Sequence, residues 1–182
     1  FKFEAKNNKL SALKSKILYG NQIIQEELEE LKANYLLILS QLNNSKNVYN
    51  NTLRKYNLLL GLSEIEAFYL SDIISAKQHL NNAILIPRLK EKQKANAKLK
   101  LANILVLEDN IWEASLIYLQ IEKQFKDDQL GHLAKFKNAQ VYYFSGEYDW
   151  CQAQLEVLKA STSKLIANDA LELSVLISDN YN

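Results

Sequence analysis

Three short stretches of the chain share one pattern at nearly constant spacing, and few folds are open to a chain built this way. Asp72-Ile73-Ile74-Ser75-Ala76, Asn110-Ile111-Trp112-Glu113-Ala114 and Glu147-Tyr148-Asp149-Trp150-Cys151 each run from a polar turn residue through a bulky apolar one to a small one. The small residues Ala76, Ala114 and Cys151 lie 38 and 37 positions apart. Four positions after them stand Leu80, Tyr118 and Leu155, and seven after them Ala83, Ile121 and Leu158. Twelve positions before them stand Ala102 and Ala139 in two units, and the mismatched Glu64 in the earliest. Antiparallel helices joined by a tight turn approach closely only where small residues face each other, so Ala102 is expected opposite Ala114 and Ala139 opposite Cys151. The residues four and seven further on then face the next pair. No hairpin of this kind covers its own apolar side, so neighbours must stack.

Composition agrees. The 182 residues include 32 leucines but only 4 glycines and 1 proline, too few turn-formers for a β-sandwich or an α/β sheet. The expected class is all-α. With 48% apolar residues there is material for a core, and a net charge of +1 exerts no global pull on nucleic acid or an anionic membrane. A single cysteine excludes an internal disulfide framework and any multi-cysteine zinc site. No apolar run is long enough to span a membrane. The first residue is Phe1, there is no methionine, and no apolar signal core is present, so the chain is expected to be an excised or processed piece.

The earlier part reads as amphipathic helices over residues 1–60, a helical extension or degenerate repeat. Leu10, Leu13, Ile17, Ile24, Leu28, Leu31, Tyr35, Ile38 and Leu42 follow helical steps, with Gly20-Asn21 as a possible interruption and Glu26–Glu30 as a solvated face. Asn43-Asn44-Ser45 breaks the pattern. A second helix runs through Tyr49, Leu53, Tyr56 and Leu60 to Gly61, read as a kink or a boundary, and Ser63 with Glu66 has the spacing of a capping box.

From about residue 60 onward the pattern resembles the tetratricopeptide repeat. Ala102, Leu105, Ala114 and Tyr118 take that family's small and large positions on the two helices of a repeat, and Ala139, Tyr142, Cys151 and Leu155 take them again. Ala76, Leu80, Ala83 and Pro87 match the second helix and closing proline of an earlier unit. The units run over about 61–88, 95–125 and 132–162, with a partial one at 164–182 that includes Ala170. The chain departs from the family in its longer period, against about 34 residues; in lacking a tryptophan at the opening position; and in lacking a closing proline after Pro87. Lys126-Asp127-Asp128-Gln129 reads as a lengthened link. The resemblance implies a right-handed superhelical stack of antiparallel helix hairpins. Stretches such as Ala134–Ala139 and Leu158–Thr162 also resemble long multi-repeat bacterial members, several of them exported to the cell envelope, which implies flanking repeats and a periplasmic setting.

In that family the first helices of the repeats line a concave groove. By register the resemblance nominates Asn103, Val106 and Leu107, then Phe136, Gln140, Tyr143 and Phe144, then Leu171 and Ser174, with Asn103, Gln140 and Tyr143 the best placed for recognition. Tyrosine offers a rigid contact with a polar tip, and Asn and Gln can bond a peptide backbone. Asn96 stands where a carboxylate-clamp lysine of the family would be, which disfavours capture of an acidic chain terminus. Arg88, Lys90, Lys92, Lys94, Lys98 and Lys100 form a basic stretch that could dock phosphate or an acidic peptide, though spacing by two spreads them around a helix.

Other chemistry is sparse. Cys151 with His132 could form a nucleophilic pair, but its small-residue position assigns it to packing. His79 and His132 have no second ligand at metal spacing, which gives them surface or capping roles. Glu147 and Asp149 are expected to cap the helix that follows them. Asn43-Asn44-Ser45 and Asn50-Asn51-Thr52 fit the glycosylation pattern, as chance allows in a chain with 19 asparagines. The expected function is non-enzymatic: a module without cofactor or metal that binds a protein or peptide on its concave face within a larger bacterial assembly. The alternatives are a structural segment of a longer solenoid without a ligand of its own, or a nucleic-acid-binding helical repeat.

Overall fold

A computed structural model describes residues 21–43, 48–160 and 164–181. Among these residues all regular structure is helical: α1 (Asn21–Asn43), α2 (Val48–Phe68), α3 (Ile73–Ile84), α4 (Glu91–Leu107), α5 (Ile111–Gln124), α6 (Gln129–Phe144), α7 (Tyr148–Lys159) and α8 (Lys164–Tyr181). The chain divides into two compact units, one ending at Pro87 and the other beginning at Arg88. In the first, α1 packs on α2 and α2 on α3. In the second, each of α4 to α8 packs on the next, and α6 also packs on both α4 and α8. The division expected at residue 60 falls inside α2, which runs unbroken past it. Leu10, Leu13, Ile17, Gly20 and the break at Asn44-Ser45 lie outside the described residues.

The three tight turns, α2–α3, α4–α5 and α6–α7, share one construction. Each places a residue in the left-handed region, Ser71 at φ 57°, Asp109 at φ 59° and Gly146 at φ 77°. The next residue is the N-cap, Asp72, Asn110 or Glu147, with φ of −89°, −85° and −86°. The N-cap N–H donates back to the carbonyl of Glu66, Leu105 or Tyr142 at 2.8–2.9 Å. Its own carbonyl accepts from the N–H of Ala76, Ala114 or Cys151. Each small residue is thereby fixed at the first full turn of the returning helix. All three are fully buried, as are Leu80, Tyr118, Leu155, Ala83, Ile121 and Leu158.

This shared hydrogen bond accounts for the mismatch at Glu64. The α2–α3 turn is one residue longer than the other two, so Glu66 occupies the place of Leu105 and Tyr142, and the small position falls on Ser63. Ser63 is buried and donates its hydroxyl to the Leu60 carbonyl at 2.7 Å; Glu64 is exposed. The expected capping box at Ser63 and Glu66 is not formed, because both sit inside a continuous helix. Gly61 is not a boundary, since α2 runs through it. It lets the Tyr35 ring of α1 lie against α2, where an added Cβ would come within 2.9 Å of Tyr35 Cε1.

The α1 face is also corrected. Ile24 and Leu39 are buried, whereas Leu31 and Ile38 are exposed. Glu26, Glu27, Glu29 and Glu30 do face solvent. In the second unit, Ala102 and Ala114 share a core with Leu99, Leu105, Tyr118 and Ile121. Ala139 and Cys151 share the next with Phe136, Leu155, Leu158 and the inner stripe of α8, Ile166, Ala170 and Ile177.

The link between α5 and α6 is equally tight. Asp128 caps α6 by accepting from the Leu130 N–H at 2.8 Å, and Gly131 lies so close that an added Cβ would stand 2.0 Å from the Phe125 carbonyl oxygen. Backbone cannot retreat as a flexible side chain can. Gly131→Ala is therefore expected to lower the unfolding free energy by about 2–3 kcal/mol, measured by urea denaturation; an unchanged midpoint would show that the close approach does not constrain the fold.

Candidate functional site

The side chains nominated for a groove lie on α4, α6 and α8, and they differ in what they already bind. Asn103 is half-buried and its Oδ1 accepts from the Tyr118 hydroxyl at 2.7 Å. Burial holds the Tyr118 phenol well above its ordinary range, so it stays a donor. Gln140 is half-buried and accepts from Lys137 Nζ at 3.0 Å, leaving its amide N–H groups for other use. Tyr143 is half-buried and packs edge-on against Phe144 and Tyr181. Val106 packs against the core beside Asn103. Phe136 is buried in the second core, and Ser174 is buried and donates to Gln152 Oε1 at 2.7 Å, so these two hold helices together. Leu107, Phe144 and Leu171 are exposed.

Two equivalent bonds link successive hairpins. Ser115 and Gln152 each follow the small residue of their helix. Ser115 donates to Asn138 Oδ1 on α6 at 2.6 Å, and Gln152 Nε2 donates to the Ser174 carbonyl on α8 at 3.0 Å. Lys135 adds an ion pair to Glu122 at 2.7 Å.

The basic stretch is partly neutralised. Lys92 pairs with Asp128 at 2.6 Å and Lys94 with Glu91 at 2.8 Å. The Lys90 N–H donates to Gln93 Oε1 at 2.9 Å and so helps cap α4. Arg88 is exposed with φ 65°, Lys98 is exposed, and Lys100 is half-buried. Two of the six, Lys92 and Lys94, are thus paired with carboxylates.

Cys151 is fully buried, and desolvation raises its thiol pKa to about 11. It packs with Ala139, two helical turns along α6 from His132, a rise of about 10 Å. At neutral pH only about one molecule in ten thousand would carry the thiolate. Glu147 does occupy the N-cap of α7, but its side chain makes no capping bond. Among the described residues no cluster of three His, Cys, Asp or Glu side chains could hold a metal, and no helix is long and apolar enough to cross a membrane.

One charged cluster escapes the sequence reading. His79 is not a free surface side chain: its Nδ1 lies 2.7 Å from Oε2 of the fully buried Glu66, while Lys32 Nζ of α1 lies 3.3 Å from Glu66 Oε1 and 3.2 Å from Asp72 Oδ2. The signal was present in α2, where Leu59, Leu62, Ser63 and Glu66 form one helically spaced buried stripe that ends in a carboxylate. Burial lowers the Lys32 pKa, but bonds and attraction from Asp72 and Glu66 outweigh it and leave the ammonium above its ordinary value. The cluster borders an open cleft of about 460 Å³ lined by Leu39, Lys55, Leu59, His79 and Asn82, and Tyr35, Gln41 and Arg54 line a second of about 610 Å³.

Fold and side chains together define an all-α protein with a helical-repeat-like fold. In comparisons with known proteins the chain matches no family model, no curated protein and no solved structure.

Asp72 is held below its ordinary pKa by the side chain and N–H of Ser75, and then by Lys32. A carboxylate that titrates lower folded than unfolded stabilises fully above its ordinary value, and that contribution is lost as pH falls through the folded value. The stability advantage of the parent over Asp72→Asn is therefore expected to be full at pH 7 and to shrink as pH falls below the ordinary aspartate range toward the lowered folded-state value, read from denaturation midpoints across pH. Cys151 is expected to react with a thiol reagent roughly a hundredfold more slowly in the folded chain than in denaturant; equal rates would mean that the thiol is accessible.

Proposed function

We propose that this chain is a non-catalytic protein-binding helical repeat of tetratricopeptide type, in which α4, α6 and α8 present a continuous recognition face to a protein or peptide. The observation that carries the reading is the turn construction repeated three times, with a left-handed residue, an N-cap and a buried small residue in the same order. The packing of α6 on both α4 and α8 supports it, because first helices placed side by side are what such a face requires. On this reading the hairpins form a right-handed superhelix. Gln140 and Tyr143 supply the polar and aromatic contacts, and Asn103 contributes at the edge of the core.

Asn103→Ala, Gln140→Ala and Tyr143→Ala combined are expected to abolish capture of a discrete partner that the parent retains from a lysate of its source cell. Tyr118→Phe serves as the control, since it breaks the same bond to Asn103 without altering the face. Retention of the same partner by the triple variant at matched helicity would place binding elsewhere.

A specific observation favours a second reading, that of a structural segment in a longer solenoid. Helix α8 exposes Leu165, Leu171, Val175 and Leu176, the kind of surface a following helix covers in a stack. The nucleic-acid reading gains no such support, because Lys92 and Lys94 are already paired.

A further inference from the structure

In the second unit, α4, α6 and α8 end and α5 and α7 begin at one edge of the helix stack, since the connecting turns reverse the chain and Tyr181, at the end of α8, stacks on Tyr148 with ring centroids 4.1 Å apart. This edge is apolar and aromatic where a stack has no packing need for it. Trp112 is 89% exposed, Phe144 76%, Trp150 62% and Leu107 54%. Large side chains so exposed in one region mark an interaction surface.

The same edge is also strongly biased in charge. The exposed carboxylates Asp109, Glu113, Glu147, Asp149 and Asp179 stand among these side chains. The chain has no lysine or arginine from 101 to 122, from 138 to 158, or after Lys164. Every helix end on this edge falls in one of those stretches. The unit's cations lie at the other end, at Arg88, Lys90, Lys92, Lys123, Lys126, Lys159 and Lys164, or along the helices between, at Lys94, Lys98, Lys100, Lys135 and Lys137.

We infer that this helix-end edge is a docking surface for a cationic segment of another protein in which arginine or lysine alternates with apolar residues. Carboxylates pair with the cations, and exposed indole faces take guanidinium or ammonium groups by cation–π attraction while the apolar side chains cover the rest. An anionic bilayer is disfavoured, because its headgroups would meet five carboxylates with no cation between them. The basic end of a second copy is a weaker match, because Lys92 and Lys159 are already paired with Asp128 and Glu156. The surface uses the helix ends and does not depend on a recognition face along α4, α6 and α8.

The molecule carries its own reporter, since its two tryptophans, Trp112 and Trp150, both lie on this edge. The probe is a synthetic peptide of alternating arginine and leucine without aromatic residues, titrated into the full chain. The expected result is a saturable blue shift of tryptophan emission, with affinity falling roughly tenfold or more when salt is raised from about 50 to about 300 mM. Asp109→Asn, Glu147→Gln and Asp149→Asn combined should weaken binding by about tenfold. Asparagine tolerates the left-handed backbone at position 109, and far-ultraviolet circular dichroism checks the fold. Trp112→Ala alone, with Trp150 as reporter, gives a second test and should also weaken binding.

The inference is overturned by no emission change, by an equal response to a peptide with glutamate in place of arginine, or by affinity indifferent to salt and to both variants. It is overturned as well if phosphatidylcholine vesicles alone produce the shift, which would assign the edge to membrane. A shift on raising protein concentration without peptide would assign it to a second copy, with the same consequence.

Discussion

The close approach of two helices at a pair of small residues is the constraint on which the rest of the structure depends. Ala102 and Ala114 share one core with Tyr118, and Ala139 and Cys151 share the next with Leu155, and all four small residues are fully buried, which lets the helices of each hairpin come close. A larger residue at any of these positions would part the helices and open the neighbouring contacts. The turn fixes which residues meet there. A left-handed residue reverses the chain, the N-cap N–H returns to a carbonyl on the first helix, and the N-cap carbonyl takes the small residue's N–H. Local backbone geometry therefore sets tertiary register, and burial follows from it.

That coupling explains which parts of the fold were legible in the sequence. The nine positions defined by the small residue and its neighbours four and seven further on are all buried, because they hang from the turn at fixed offsets in α3, α5 and α7. Counting backwards through the turn is less secure. One additional residue between Phe68 and Ile73 moved the small position from Glu64 to Ser63, and only the shared hydrogen bond to Glu66, Leu105 and Tyr142 reveals the correct alignment. The α1 face is legible only in part. Of its regular stripe, Ile24 is buried and the Tyr35 ring lies against Gly61, whereas Leu31 and Ile38 are exposed and the adjoining Leu39 is buried in their place. Periodicity identifies a helix but not which of two adjoining stripes the rest of the chain will cover.

The candidate recognition residues were legible by position and less so by availability. Register placed Asn103, Gln140 and Tyr143 on first helices, and there they are. Register cannot tell that Phe136 and Ser174 would be consumed by packing and by the Gln152 bonds, since that depends on the neighbouring helix. Spacing by two spreads the six basic residues around a helix, and the ion pairs to Asp128 and Glu91 make Lys92 and Lys94 part of the scaffold as well. Cys151 is the clearest case of a chemistry-bearing residue put to structural use, at a position where its neighbours require small size and its burial suppresses the thiolate.

Glu66 shows what the repeat pattern can absorb. At the position held by leucine in one hairpin and tyrosine in another, the first unit buries a carboxylate. Isolated, such a charge would cost several kcal/mol in desolvation. It is tolerated because three helices supply its surroundings: α2 carries it, α3 brings His79 to 2.7 Å, and α1 brings Lys32 to 3.3 Å. Replacing an ion pair by apolar residues of similar volume is often neutral or stabilising, so the cluster is a poor explanation of stability as such. Its geometric effect is more direct. Helix α1 leaves Leu31, Leu36, Leu37 and Ile38 exposed, and an apolar contact with α2 alone would allow it to slide along its neighbour. Lys32 bridges Glu66 on α2 and Asp72 at the cap of α3, while Tyr35, one turn further, fits over Gly61. Those two contacts set both the rotation and the height of α1 against the hairpin, where hydrophobic burial, which has no direction, would set neither.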